Sequence, residues 1–348
     1  MAKTIVGVDI GATSIRAVEV AGAGTAKPTV VRVGTVDVPE GAIKRGEVVE
    51  PNTVGNALKR LWSTAKFGSK HVVLGVGNQR VLARDLTVPQ QPLPLIRESL
   101  PFHVQDLLPM PVSEAVFDFY PLRAEQQEQG AVVHGILVAA VKETVMTNLS
   151  AARLAGLKPI GVDLIPFALT RLMSRTEAGQ GRVVLLDIGA ETTSFVVAVD
   201  GIPQFVRLIG MGGSDVTRAI VSRLGMSETD AEAAKRALGL TTQGVREEHR
   251  PIVEVIYDVT GELITSVRNT ISFVGNAQSV GSLERIVMSG NASRLPGLAA
   301  ALSDFTRIPV VVAEPFDSVA MKGSAKKVDG IDTGSLQVAL GLAIGAAA

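Results

Sequence analysis

The 348-residue chain contains no cysteine, which excludes disulfides, thiolate metal sites and a cysteine nucleophile, and suits a reducing compartment. Aromatic residues make up only 4% of it, and its four histidines (His71, His103, His134 and His249) are scattered without the spacing of a metal site. Net charge is missing too. The 34 basic residues balance 34 acidic ones, so no overall pull toward nucleic acid or an anionic membrane is expected. No apolar run is long enough to span a bilayer; the longest tail, Ser335 to Ala348, is short and interrupted by glycine. Met1-Ala2-Lys3-Thr4 leads straight into a strand-like segment, without a signal-peptide core. Ser14 and Thr192 have no histidine base in their sequence context, so nothing supports nucleophilic catalysis. These absences lead to the expectation of a cytoplasmic protein.

What is present is a repeat. Hydrophobic residues reach 46%, enough to bury the cores of two lobes. Asp9-Ile10-Gly11-Ala12 recurs as Asp187-Ile188-Gly189-Ala190, each copy directly after a short apolar strand-like run, Thr4 to Val8 and Arg182 to Leu186. Each copy is followed by hydroxyl residues, Thr13-Ser14 and Thr192-Thr193-Ser194, and then by another β-rich segment. Glycine at the tip of a strand-turn-strand lets backbone N–H groups face an anion, and nearby hydroxyls add donors. An aspartate at each strand end would supply carboxylates for a hydrated Mg²⁺ beside phosphates. One copy alone reads as an ordinary Asp-x-Gly turn; two copies in matching contexts point to two phosphate loops gripping one nucleotide.

The element order repeats as well. Residues 4–77 read as three strands, a helix with Val54, Leu58, Leu61 and Trp62 at helical spacing, and the strand His71 to Val76. The second half reads as strands Val183–Leu186, Ser194–Val199 and Gln204–Ile209, a helix Ser214–Leu224 opened by Gly210-Met211-Gly212-Gly213, and a later strand Arg285–Ser289. Extra material sits within each half. Residues 80–156 predict an inserted α+β subdomain: a helix through Leu95–Leu108, strands Ala115–Tyr120 and Val132–Val141 joined by the polar loop Ala124–Gly130, and a helix Lys142–Ala155. Residues 227–281 predict a helical insertion capped at Ser227. The first-lobe core is then residues 1–79, 157–180 and a C-terminal helix over 333–348; the second-lobe core is 181–226 and 282–332.

Strand-Asp-x-Gly hairpins in both halves, with the glycine strand end Met288-Ser289-Gly290-Asn291, resemble the actin-like ATPase superfamily. The compact first-lobe insertion, the segment Gly161 to Leu169 and the run Ser289 to Leu298 are similar, more closely, to the PilM family of type IV pilus assembly. The resemblance implies an α/β actin-like ATPase fold: two lobes of duplicated ββαβ-type core, with the α+β subdomain inserted in the first and the helical insertion in the second. It also implies ATP or ADP with Mg²⁺ between the lobes. Carried over by position, Asp9 and Asp187 match the metal-side aspartates. Gly11, Ala12, Thr13 and Ser14 match the first phosphate loop, and Gly189, Ala190, Glu191, Thr192 and Thr193 the second. Arg16 stands where relatives carry a phosphate-contacting lysine; its planar guanidinium requires different geometry. Gly212 and Gly213 match glycines at a helix N-terminus that favours an anion. Glu232 and Lys235, on one helix face, match a pair holding ribose and adenine, although by spacing alone they are an exposed ion pair. Gly290, Asn291 and Arg294 match the approach to the base.

Hydrolysis needs a group that orients or deprotonates water. Bacterial relatives place a glutamate before Pro-x-Ala; here that slot is Ile165. Asp163 is the nearest carboxylate and, in an extended stretch, would share a side with it; it is the candidate catalytic substitute, with hydrogen bonding in the inter-lobe connection as its other expected role. Tight nucleotide binding with slow turnover is the expectation. The resemblance further implies a nucleotide-modulated assembly platform that binds the N-terminal cytoplasmic peptide of PilN against the first lobe and insert. Other inner-membrane platform proteins and self-association are further expected contacts, and membrane association would run only through partners. An FtsA-like filament former and a small-molecule kinase are the alternatives; the chain's end lacks the basic amphipathic helix of the former, and no acceptor motif marks the latter.

Overall fold

The computed structural model of the chain describes residues 4–128, 130–241, 244–277, 280–313, 316, 318–322, 325 and 333–346. Parts of the stretch assigned above to the second-lobe core, and Ala347 and Ala348 of the C-terminal helix, lie outside them.

β1 (Thr4–Ile10) and β2 (Ser14–Ala21) form an antiparallel hairpin, paired from Thr4↔Ala21 to Ile10↔Ile15, and β2 continues antiparallel into β3 (Thr29–Asp37). Their Val/Ile-rich sequences suit strands covered on both faces. A two-residue-per-arm hairpin, β4 (Ile43–Lys44) and β5 (Glu47–Val48), precedes α1 (Pro51–Ala65). Pro51 opens the first turn of α1, where a missing N–H costs nothing, and Val54, Leu58 and Leu61 fall on its buried face. β6 (His71–Val76) then lies parallel to β1.

The insertion contributes β7 (Val81–Pro89), α2 (Leu93–His103), β8 (Ala115–Gln127) and β9 (Gly130–Val141), the strands forming a sheet in the order β7-β9-β8. Two sequence expectations are corrected here. α2 stops at His103 instead of Leu108, having Pro101 in its last turn, which removes a backbone donor. The polar Ala124–Gln127 is strand, paired from Ala124↔Val133 to Gln127↔Gly130, because an exposed ribbon edge needs no apolar side chains. α3 (Lys142–Leu154), read as part of the insertion, buries Ala151 and Ala152 with Leu58 and Leu61 of α1, in the first-lobe core. β10 (Lys158–Leu164) runs parallel to β6, and α4 (Ile165–Met173) follows without a break.

The second lobe is built from β11 (Arg182–Ile188), β12 (Thr193–Val199), β13 (Ile202–Ile209), α5 (Gly213–Leu224), α6 (Glu228–Leu238), α7 (Arg250–Ala277), β14 (Arg285–Ser289), α8 (Leu298–Thr306) and β15 (Val310–Val312). β16 (Ala320–Met321) returns to pair with β3, and α9 (Gln337–Gly345) ends the fold. The six-stranded sheet runs β10-β6-β1-β2-β3-β16 and the five-stranded sheet β13-β12-β11-β14-β15. Both contain an antiparallel three-strand meander whose first strand takes a parallel neighbour and then a second. The sequence repeat is thus a repeat of topology.

α9 is buried from Gln337 to Ile344 and packs backbone to backbone. A Cβ on Gly7 would sit 1.9 Å from the Ala339 carbonyl oxygen, and one on Gly341 would sit 2.3 Å from that of Ala168. α9 therefore locks β1 to α4, and Leu164, Leu172 and Met173 share a core cluster with Val183, Leu185 and Ala198 of the second lobe.

Candidate functional site

The two repeated turns close in the same way. Gly11 N–H donates to Ser14 O at 3.1 Å, and Gly189 N–H donates to Thr192 O at 2.9 Å. The turn amides of Ala12, Thr13, Ala190 and Glu191 have no hydrogen bond among the described residues, and such amides are what an anion would need. Between the turns lies a cleft of about 780 Å³, open mouth included. Eleven of the expected site residues line it: Asp9, Gly11, Ala12, Arg16, Asp187, Gly189, Ala190, Glu191, Thr192, Gly290 and Asn291.

Asp9 pairs across the β1–β2 ladder with Arg16, whose Nη1 donates to its Oδ2 at 3.0 Å. Asp187 occupies the equivalent place in the second lobe, where Ser289 Oγ donates to its Oδ1 at 2.8 Å. Burial pushes the Asp187 carboxyl up to about 6; the Ser289 hydrogen bond opposes that, the charge of Asp9 adds to it, and Arg16 offsets part of the rise. The two strand-end carboxylates therefore face one cleft. Gly290 is required beside them: its φ is +82°, and a Cβ there would lie 2.4 Å from Ile188 O.

Other expected contacts are engaged elsewhere. Gly213 N–H donates to Gly189 O at 2.9 Å and Ser214 N–H to Ala190 O at 2.7 Å, so the start of α5 holds the second loop by hydrogen bonds of its own. A Cβ on Gly212 would meet Ala190 O at 2.5 Å, which explains the glycine. Lys235, 9% exposed, donates Nζ to Gly213 O (3.0 Å), Thr217 Oγ1 (2.9 Å) and Glu232 Oε2 (2.6 Å). Burial opposes the Glu232 charge, but bonds from Lys235, Thr217 and Arg236 outweigh it and hold the carboxyl at about 2. Glu232 and Lys235 thus bind each other and α5. Thr193 Oγ1 is turned inward to Met211 O at 2.7 Å, Thr13 is exposed, and Ser14 closes its turn through its carbonyl. Arg294 lies exposed at the end of a 3-10 turn, Asn291–Arg294, outside the cleft lining.

Asp163 does not share the cleft with Asp9 and Asp187. Arg171 Nη1 donates to its Oδ2 at 2.9 Å, and both residues line a separate groove. The alternation that would have placed Asp163 beside Ile165 breaks because the helix begins at Ile165, which turns that side chain into the cleft. Ser194 of the hydroxyl cluster also lines the cleft, as do Gly46, Gly75, Gly77 and Val338, which the sequence did not mark. The Gly75-x-Gly77 end of β6 was the available signal: a Cβ on either would lie within 3.0 Å of Ile165.

A family model described as Type IV pilus assembly protein PilM matches residues 7–347. The chain belongs to the PilM family. A solved PilM from a PilM-PilN type IV pilus biogenesis complex is 30% identical, with a TM-score of 0.86, over 99% of this chain and 98% of that one. Ethanolamine utilization protein EutJ of Carboxydothermus hydrogenoformans (16% identity, TM-score 0.58, 99% of this chain and 90% of that one) shares the fold. So does MreB5 of Spiroplasma citri, solved bound to ADP (14%, 0.53, 91% and 94%). Among curated proteins, cell division protein FtsA of Bacillus subtilis is 21% identical over 327 residues, 81% of this chain and 73% of that protein. This PilM family member therefore has the actin-like ATPase fold, and its cleft lies between the two halves of that fold.

Proposed function

We propose that this protein binds ATP or ADP with Mg²⁺ in the cleft, captures the N-terminal segment of PilN in the groove beside α4, and lets the nucleotide modulate that capture. The observation carrying this reading is that cleft and groove share their walls. Along α4, Ile165 lines the cleft while Phe167 and Arg171 line the groove; along α9, Val338 lines the cleft while Gly345, directly after it Ala346, line the groove. Arg171 Nη1 donates to both Asp163 Oδ2 and Gly341 O, tying β10, α4 and α9 into one body.

The groove, about 1160 Å³ with its open side, runs between two edge strands: β10 ends the six-stranded sheet and β8 ends the insertion's sheet. Ile160 and Val162 of β10 are 49% and 38% exposed there. An extended peptide adding along such an edge gains main-chain bonds, with apolar side chains entering between Phe119, Tyr120 and Phe167. The likeness to a chain solved with PilN, over nearly the whole length, supports PilN as that peptide's source.

In the cleft, the residues fit a hydrated divalent cation held beside phosphates. Among the described residues no group of three or more His, Asp or Glu is placed to hold a metal, which suits Mg²⁺ keeping its waters over an all-protein cage. Burial and Asp9 both disfavour the charge on Asp187, and a cation relieves both. With Ile165 in the cleft and Asp163 held by Arg171, turnover is expected to be slow. No helix among the described residues is long and apolar enough to cross a membrane, so PilN and other platform proteins would hold the protein at the inner face of the cell membrane. Calorimetry with Mg²⁺–ATP and a PilN N-terminal peptide tests the reading. Both should bind, and Val162→Asp should abolish only the peptide; failure of the wild-type protein to bind either ligand removes that half of the reading.

A further inference from the structure

One element at the cleft mouth is unclaimed by either site. The β4–β5 hairpin turns through Arg45 and Gly46, at φ +50° and +76°, a left-handed pair that matches strand twist but is unfavourable for arginine. Its base is fixed in the first-lobe core by Ala42, Ile43 and Val48, all under 9% exposed, and its far arm by Glu47, which accepts from Arg80 Nη1 at 3.1 Å. Its tip leaves that lobe. Gly46 lines the cleft, the Arg45 N–H donates to Glu191 Oε2 in the second phosphate loop, and a Cβ on Gly46 would lie 3.9 Å from Thr192.

Glu191 does not hang free at the other end of this tie. Its Oε1 accepts from Arg218 Nη1 at 2.8 Å; Arg218 Nη2 donates to Asp215 Oδ1 at 2.6 Å; and Asp215 Oδ2 accepts from the Gly212 amide at 2.8 Å. The chain of bonds ends where α5 holds the loop carbonyls of Gly189 and Ala190. Beneath the tip, Asn78 packs within 3.2 Å of where a Gly46 Cβ would be; it is 1% exposed, and its Nδ2 has no hydrogen-bond partner among the described residues.

We propose that the Lys44–Glu47 hairpin is a strap across the nucleotide cleft, latched by the Arg45 amide to Glu191, and that unlatching sets the rate at which nucleotide leaves. The role of Glu191 is then to hold the strap, not to touch phosphate. This rests on the nucleotide reading above, and two measurements separate their failures. The strap tip carries Lys44 and Arg45, both exposed, so trypsin reports the latch in the protein without nucleotide. Glu191→Ala is expected to raise tryptic cleavage at Lys44–Arg45 about ten-fold and to speed release of a fluorescent Mg²⁺–ADP analogue by a similar factor. Because the chain has no cysteine, Gly46→Cys with Thr192→Cys gives a single oxidisable pair. Analogue loaded before oxidation should release at least ten-fold more slowly until reductant is added. Equal cleavage and release rates in wild type and Glu191→Ala, or release unaffected by oxidation, overturn the strap while leaving nucleotide binding in place. A wild-type protein that binds no nucleotide overturns both.

Discussion

Lys235 on α6 and Gly213 at the start of α5 are joined by a 3.0 Å bond from Nζ to the carbonyl oxygen. With Thr217 and Glu232 taking the other two donors, the ammonium is saturated and staples α6 to the helix that holds the second repeated turn. Lys235→Met is expected to cost about 2 kcal/mol, since it strands partly buried acceptors. Thermal melts should show the loss without any nucleotide. An unchanged Tm would mean that the side chain serves a ligand and not the fold.

Glu232 gives that staple a pH signature. Its carboxyl lies lower in the folded chain, at about 2, than the ordinary value of 4.5, so its ionised form stabilises the fold above pH 4.5. That contribution falls away as pH drops from 4.5 toward 2. The Tm difference between wild type and Glu232→Gln should therefore be constant from pH 7 to pH 5 and shrink through the lower window. A gap that instead widened below pH 4.5 would contradict the assignment.

Asp187 runs the other way, because burial and Asp9 disfavour its charge. Asp187→Asn keeps an oxygen for the Ser289 hydroxyl and removes the buried charge, so the metal-free variant is expected to melt a few degrees above wild type at pH 7.5. The same variant, and Asp9→Asn, should lose the enhancement of nucleotide binding by Mg²⁺. Full Mg²⁺ dependence in both variants would exclude these carboxylates as the cation's site.

Much of this architecture is legible in the chain because duplication doubles each weak signal: Asp-Ile-Gly-Ala says little once, yet its second copy predicted a second sheet of the same order. What the sequence leaves unread shares a cause. Glu232 and Lys235 read by spacing as an ion pair on one helix face, but their further bonds to Thr217 and Gly213 of α5 depend on long-range packing that no local spacing encodes. The bond from Arg171 to Asp163 fits the hydrogen-bonding role expected of it in the connection, but Asp163 does not share a side with Ile165, since the strand's two-residue period ends where α4 begins at Ile165. The β4–β5 hairpin was missed because two residues per arm give no period to read, although Arg45-Gly46 between Lys44 and Glu47 is a turn signal.

Arg171 offers the sharpest test of communication between groove and cleft. Its guanidinium spans β10 and α9, and a Cβ on Gly345 would lie 2.1 Å from Nη1, so it fills the space where α9 reaches the groove. Arg171→Met keeps the apolar stem and removes both ties. In wild type, saturating Mg²⁺–ATP should change PilN-peptide affinity five-fold or more, at the low end of the range of about 1–3 kcal/mol typical of coupled sites. In the variant the peptide binds more weakly, having lost a groove wall, but its affinity should no longer respond to nucleotide. Linkage makes the check reciprocal: peptide should cease to alter nucleotide affinity by the same factor. If the variant keeps the wild-type ratio in both directions, the shared helices carry no coupling through Arg171.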